Sequence, residues 1–135
     1  MAKQDSDDFS GMWRCTHWYP NIDDTGQDVS VHLMRAHQQG DVLVLESVPD
    51  PSESYMLVRL QINGEIAAGS WHETTQPDGD FKGAQYSGDG QLVIDRAKKT
   101  MEGLWSGAGY DRKHGKYRIY TDKWQLVFAG EKQEA

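Results

Sequence analysis

Cysteine is nearly absent from the chain: the single Cys15 in 135 residues rules out an intramolecular disulfide and fits a reducing compartment. Basic runs are missing too. None exceeds the pair Lys98-Lys99 and the formal net charge is -7, which makes nucleic acid and anionic membrane poor direct partners. The first eight residues are polar and acidic with no apolar run behind them, so neither a signal peptide nor a membrane span is expected, and a cytoplasmic location is the default. Apolar residues nowhere keep a 3.6-residue period over helical length, beyond a single turn near Arg96 to Lys99. There is no Gly-rich phosphate loop ahead of a helix and no Ser-centred nucleophile elbow. The five histidines, His17, His32, His37, His72 and His114, lack metal-ligand spacing, so neither a metal nor a cofactor is expected.

What remains reads as strands. Period-2 segments run from Gly11 to Tyr19, Asp28 to His37, Asp41 to Val48, Ser54 to Ile62, Glu65 to Thr74, Phe81 to Ser87, Gln91 to Asp95, Thr100 to Ala108 and Lys116 to Phe128. Asn63-Gly64 is a strong hairpin signal, because a type I′ turn needs positive φ at both central residues. Gln39-Gly40, Pro77-Asp78-Gly79 and Gly88-Asp89-Gly90 mark further tight turns, and longer loops follow Pro20 and Pro49. Nine short segments, one of which can fuse with a neighbour, predict an all-β, antiparallel up-and-down barrel of about eight strands. Residues 9–129 form this single domain, with tails at 1–8 and 130–135.

Three of the five tryptophans, Trp13, Trp71 and Trp105, have a glycine two residues earlier, where chance gives about 0.5 such cases. Residues i and i+2 of a strand share a face, so each glycine is expected to leave room beside a ring. The same parity puts Met56, Val58, Leu60 and Ile62 on an interior face. It groups Trp71 with Glu73, Trp13 with Cys15, His17 and Tyr19, and Trp124 with Arg118, Tyr120, Asp122, Leu126 and Phe128.

Phe9-Ser10-Gly11-Met12-Trp13 resembles the Gly-x-Trp signature that opens the first strand of lipocalins and related calycin barrels. That resemblance implies a basic residue of the last strand, Arg118 or Lys123, packed on Trp13. Trp105-Ser106-Gly107 with Arg118-Ile119-Tyr120-Thr121-Asp122-Lys123-Trp124-Gln125-Leu126 is similar to the Trp-Ser-Gly and Arg-Ile-Asn-Thr-Gln-Trp-Leu pattern of the avidins, over roughly the last fifth of the chain. The avidin hydroxyls that contact biotin are replaced by Met101 and Gly103, so biotin is not the expected ligand. Gly103 to Gly109 is also similar to a motif of nitrobindin-type haem barrels, but the one late histidine, His114, sits in a polar loop, and haem is not expected either.

Each constellation carries two readings. Trp13, Trp71, Trp105 and Trp124 either fill the barrel or line a pocket for a flat ligand. Glu73, Arg118 and Asp122 are charges on an interior face, costly unless paired or used by a ligand: in one arrangement Arg118 bridges Glu73 or Asp122 in the cup, in the other these residues lie near the rim or on the opposite face. Cys15 and His17 are about 6.6 Å apart as i,i+2 neighbours, too far for a thiolate-imidazole pair, and read as structural. Asp23-Asp24 and Asp78-Gly79-Asp80 suit either calcium or turn chemistry. The leading expectation is non-enzymatic binding of a small organic ligand in the cup, as a sensor module. Trp71, Trp105, Trp124 and Tyr120 would stack on it, Glu73, Arg118 and His17 would orient it, and Trp13 and Asp122 belong to the same interior set. The alternatives are a small enzyme with Glu73 or Asp122 as general acid or base, and a filled barrel serving as an interaction domain. Homo-oligomerisation is left open.

Overall fold

Every second side chain from Tyr55 to Asn63 is buried, the pattern of a strand with one face on a core and one in water. Seven further strands join it. In the computed structural model, which describes residues 8–20, 26–49, 54–75 and 83–130, the order is β1 (Gly11–Pro20), β2 (Gln27–Gln39), β3 (Val42–Ser47), β4 (Tyr55–Asn63), β5 (Ile66–Thr74), β6 (Gln85–Asp95), β7 (Thr100–Asp111) and β8 (Lys116–Gly130). Each strand pairs antiparallel with its neighbours in sequence, and β1 pairs with β8 to close the barrel. The expected eight-stranded up-and-down barrel is thus the architecture found, an order compatible with a calycin-like fold. There is no helix among the described residues, and hence none long and apolar enough to cross a membrane. The expected tails and the calcium-type loops at Asp23-Asp24 and Asp78-Gly79-Asp80 lie wholly or largely outside the described residues, as does the turn at Pro77-Asp78-Gly79.

The interior is built from Met34, Leu43, Leu45, Met56, Val58, Leu60, Ala67, Leu92, Met101 and Leu126, all nearly or fully buried. One end is shut by short turns. Gly40 and Gly64 take φ of 62° and 65° between β2 and β3 and between β4 and β5, and Lys99 takes 55° in the turn after Asp95. At this end Trp13 donates its indole N–H to the Phe9 carbonyl (2.7 Å) and meets the Phe128 ring edge-on at 5.4 Å. The connections between β1 and β2, β3 and β4, and β5 and β6 all lie at the opposite end and are longer.

Three expectations are corrected here. Gly88-Asp89-Gly90 is not a turn: it is the middle of β6, pairing with Trp71, Ser70 and Gly69 of β5 and with Gly107, Ser106 and Trp105 of β7. Two of the nine expected segments are therefore one strand. The Gly-x-Gly run of β7 likewise continues as strand to Asp111, paired with β8 throughout.

The role of the glycines also changes. A side chain at Gly69 or Gly103 would run into the backbone carbonyl of Arg59 or Gln91 on the adjacent strand, so these glycines allow close strand approach in a coiled sheet. The tryptophan rings find room over glycines of other strands, Trp124 over Gly90 and Trp71 over Gly107. Finally, neither Arg118 nor Lys123 packs on Trp13. Arg118 lies over the Tyr120 ring and Lys123 over Trp18, while Lys99 sits 4.3 Å from the ring centroid of Phe128.

Candidate functional site

Polar side chains inside the barrel gather at the end with the longer connections. His17 comes from β1, His32 from β2, Glu73 from the end of β5, and Ser54 immediately precedes β4. His32 Nε2 is 2.8 Å from Ser54 Oγ, and Ser54 donates to Glu73 Oε2 at 2.7 Å. The other carboxylate oxygen lies 3.8 Å from His17 Nε2. The two imidazoles are near-parallel, 6° apart with centroids at 6.0 Å.

Proton counting fixes the tautomer of His32. Ser54 has one hydroxyl proton and directs it to a carboxylate, so it can only accept from the imidazole, and Nε2 carries the ring proton. Nδ1 of His32 is then a bare acceptor. It is buried with no hydrogen-bond partner among the described residues, and so is Nδ1 of His17. Burial pushes His17 down to about 4 and also lowers His32, against a smaller upward pull from Glu73, so both rings are neutral near pH 7.

Aromatic rings adjoin this polar set. His17 lies 5.5 Å from Tyr19 and meets Trp105 edge-on at 6.3 Å, and Trp105 meets Trp71 at 5.6 Å and 83°. Tyr86 is the β6 partner of Glu73, and burial first, then the Glu73 charge, raise its phenol. The indole N–H groups are already used. Trp71 donates to the Asp89 and Ser106 carbonyls, Trp124 to the Cys15 sulfur at 3.2 Å, and Trp105 to the Trp18 carbonyl at 2.8 Å. The last of these spans a seam, since β1–β8 pairing stops at His17↔Trp124. These tryptophans therefore offer ring surface rather than donors.

Of the nine residues singled out from sequence, the structure brings His17, Trp71, Glu73 and Trp105 together. Trp124, beside His17 in register, is buried over Gly90. Tyr120, Asp122 and Arg118 follow along β8 toward the rim, and Trp13 is in the shut end, away from the others. The Arg118 bridge to Glu73 or Asp122 is not formed. Arg118 reaches Asp111 instead (3.6 Å), a carboxylate shielded by its own hairpin and held below the usual range chiefly by the His114 side chain. Asp122 accepts from Gln27 and from the Lys123 amide. Period-2 pairing puts Asp111, Gly109 and Gly107 on one face of β7, but Asp111 lies beyond where that strand was expected to end.

Two residues of the cluster were missed. Ser54 shares parity with Met56, so face counting back from β4 finds it. His32 had no such signal: it is flanked by Val31 and Leu33, and ordinary alternation turns that apolar pair inward. In the structure Val29, Val31 and Leu33 face out, and His32, Met34 and Ala36 face in.

An open depression of about 790 Å³ lies on the outer side of the wall, where Arg59, Ile66, Ala68, Gln91, Val93 and Leu104 border it. None of the buried titratable groups borders it. No protein-family model, curated protein or solved structure matches this chain.

Proposed function

We propose that the barrel is a cup that binds a small organic molecule at the end carrying His17, His32, Ser54 and Glu73, without chemical conversion of it. The observation that carries this reading is the pair of buried imidazole acceptors at His17 and His32, neither of which has a hydrogen-bond partner among the described residues. A buried polar atom without a partner costs roughly 1–3 kcal/mol, which folding alone does not recover and a ligand's donor would. Support also comes from the rings of Trp71, Trp105, Tyr19 and Tyr86 beside the cluster, and from indole N–H groups satisfied within the wall. Calycin-like ancestry, suggested by the Gly-x-Trp opening of β1 and the strand order, agrees with a cup of this kind.

Binding is favoured over catalysis by the same proton count. His32 Nε2 already holds a proton, so it cannot take one from Ser54, and no Ser-His nucleophile pair is formed. Asp122, the other carboxylate considered as a general acid or base, is tied to Gln27. Native mass spectrometry of the protein purified from cells, followed by tryptophan emission during a metabolite screen, tests the reading. A co-purified mass or a saturable emission change supports it; neither, across the screen, sinks it.

A further inference from the structure

Among the described residues, the Glu73 carboxylate meets the Ser54 hydroxyl and the neutral His17 ring, but no lysine or arginine. Its side chain is only 13% exposed. An anion so enclosed is costly without a counter-charge, because water that would screen it has been displaced. Arg118 does not supply that charge, being paired with Asp111, and Arg112, exposed in the β7–β8 turn, acts on Tyr86.

The other polar atoms point the same way. Nδ1 of His32 is an acceptor by proton counting; in His17, Nε2 lies 3.8 Å from the carboxylate, beyond hydrogen-bond reach, and the negative charge favours the N–H dipole on that side, which leaves Nδ1 as the acceptor. Among the described residues the cluster therefore presents one negative charge and two lone pairs, and its N–H and O–H groups are turned toward Ser54 and Glu73. Its surroundings include the rings of Trp105, Trp71, Tyr19 and Tyr86, and an aromatic face, the negative part of the ring quadrupole, favours cations over anions. The overall charge of -7 adds a field of the same sign.

Resting on the cup reading above, we infer that the ligand is an organic cation bearing N–H donors on a flat or aromatic frame, of the amidinium or aryl-ammonium class. Its positive group pairs with Glu73, its N–H groups meet His17 and His32, and its frame lies against Trp105 and Trp71.

Three near-isosteric probes separate the charge states: benzamidinium, benzamide and benzoate, each titrated against tryptophan emission at pH 7.5. The expected order is benzamidinium tighter than benzamide by at least about tenfold, with benzoate weakest. Glu73→Gln, which keeps an acceptor for Ser54 while removing the charge, should erase the preference for benzamidinium over benzamide. If that variant does not fold, the ratio measured on the unaltered protein decides the matter alone. Equal binding of benzamide, or tighter binding of benzoate, overturns the cation while leaving the cup intact. No response to any of the three also overturns it, and the cup reading then rests on the co-purified mass.

Discussion

The indole N–H of Trp124 points at the sulfur of Cys15 across 3.2 Å, joining β8 to β1 where the barrel closes. Cys15 is fully buried, and burial pushes its thiol up to about 12, beyond the small opposing effect of the Trp124 bond. The thiolate is the reactive form, so Cys15 is chemically silent while the protein is folded. Ellman's reagent at pH 8 should label no thiol in the native protein and one per chain in denaturant. Rapid native labelling would show that the β1–β8 seam opens readily.

His17 is a base whose folded pKa is depressed from 6.5 to about 4 by burial, and His32 is shifted in the same direction. Between those values the unfolded chain binds more protons than the folded one, so stability is fully present above about pH 6.5 and declines as pH falls toward 4. For His17 alone the loss amounts to about 3 kcal/mol. Urea midpoints at pH 7, 5.5 and 4 read it directly, and His17→Phe should flatten much of the slope. A midpoint independent of pH over this range would contradict the burial of both rings.

Ser54→Ala strands the His32 N–H and one Glu73 oxygen at once. A loss of about 1–3 kcal/mol is expected, because both partners remain in place with nothing to bond. The Trp13 environment at the shut end should not change, so near-ultraviolet circular dichroism ought to report a local loss. Global loss of the aromatic signal would mean that Ser54 organises more than the cup.

Glycine substitutions should separate two kinds of crowding. Gly69→Ala and Gly103→Ala drive a methyl into neighbouring backbone, which cannot move without breaking the ladder, and should cost more than about 3 kcal/mol. Gly107→Ala instead meets the Trp71 ring at 2.6 Å, and a ring can tilt. A milder loss with a shifted tryptophan emission is expected there. Equal thermal melting losses for all three would remove the distinction.

Strand content and much of the face assignment were legible because period-2 burial is a local property of an extended chain. The interior set Met56, Val58, Leu60 and Ile62 and the inward tryptophans follow from it. The β4–β5 hairpin was marked by turn composition instead, and it forms one residue later than expected: Asn63 pairs with Ile66 as strand and only Gly64 takes positive φ, so the type I′ turn centred on Asn63-Gly64 is not made. The misreadings arose where one residue type serves two ends. Gly88-Asp89-Gly90 has turn composition, yet Gly90 admits the Trp124 ring and Gly88 the close approach of β7.

Face sharing also does not specify which end of the barrel a residue reaches. Trp13 and His17 lie on the same side of β1, but one plugs the shut end and the other joins the cup. Pairing of charges was beyond reach for a similar reason: Arg118 finds Asp111 through the β7–β8 register, a fact of two strands rather than one.

The sequence by itself determined an all-β chain with alternating faces, one inert-looking cysteine, an acidic surplus and a set of inward aromatics, since each depends on residue type and local spacing. Only the tertiary structure decided that His32 and Ser54 complete a relay to Glu73. Adjacent strands β1 and β2, the end of β5 and a residue ahead of β4 supply that cluster, and barrel closure is what brings β1 and β2 across to the end of β5.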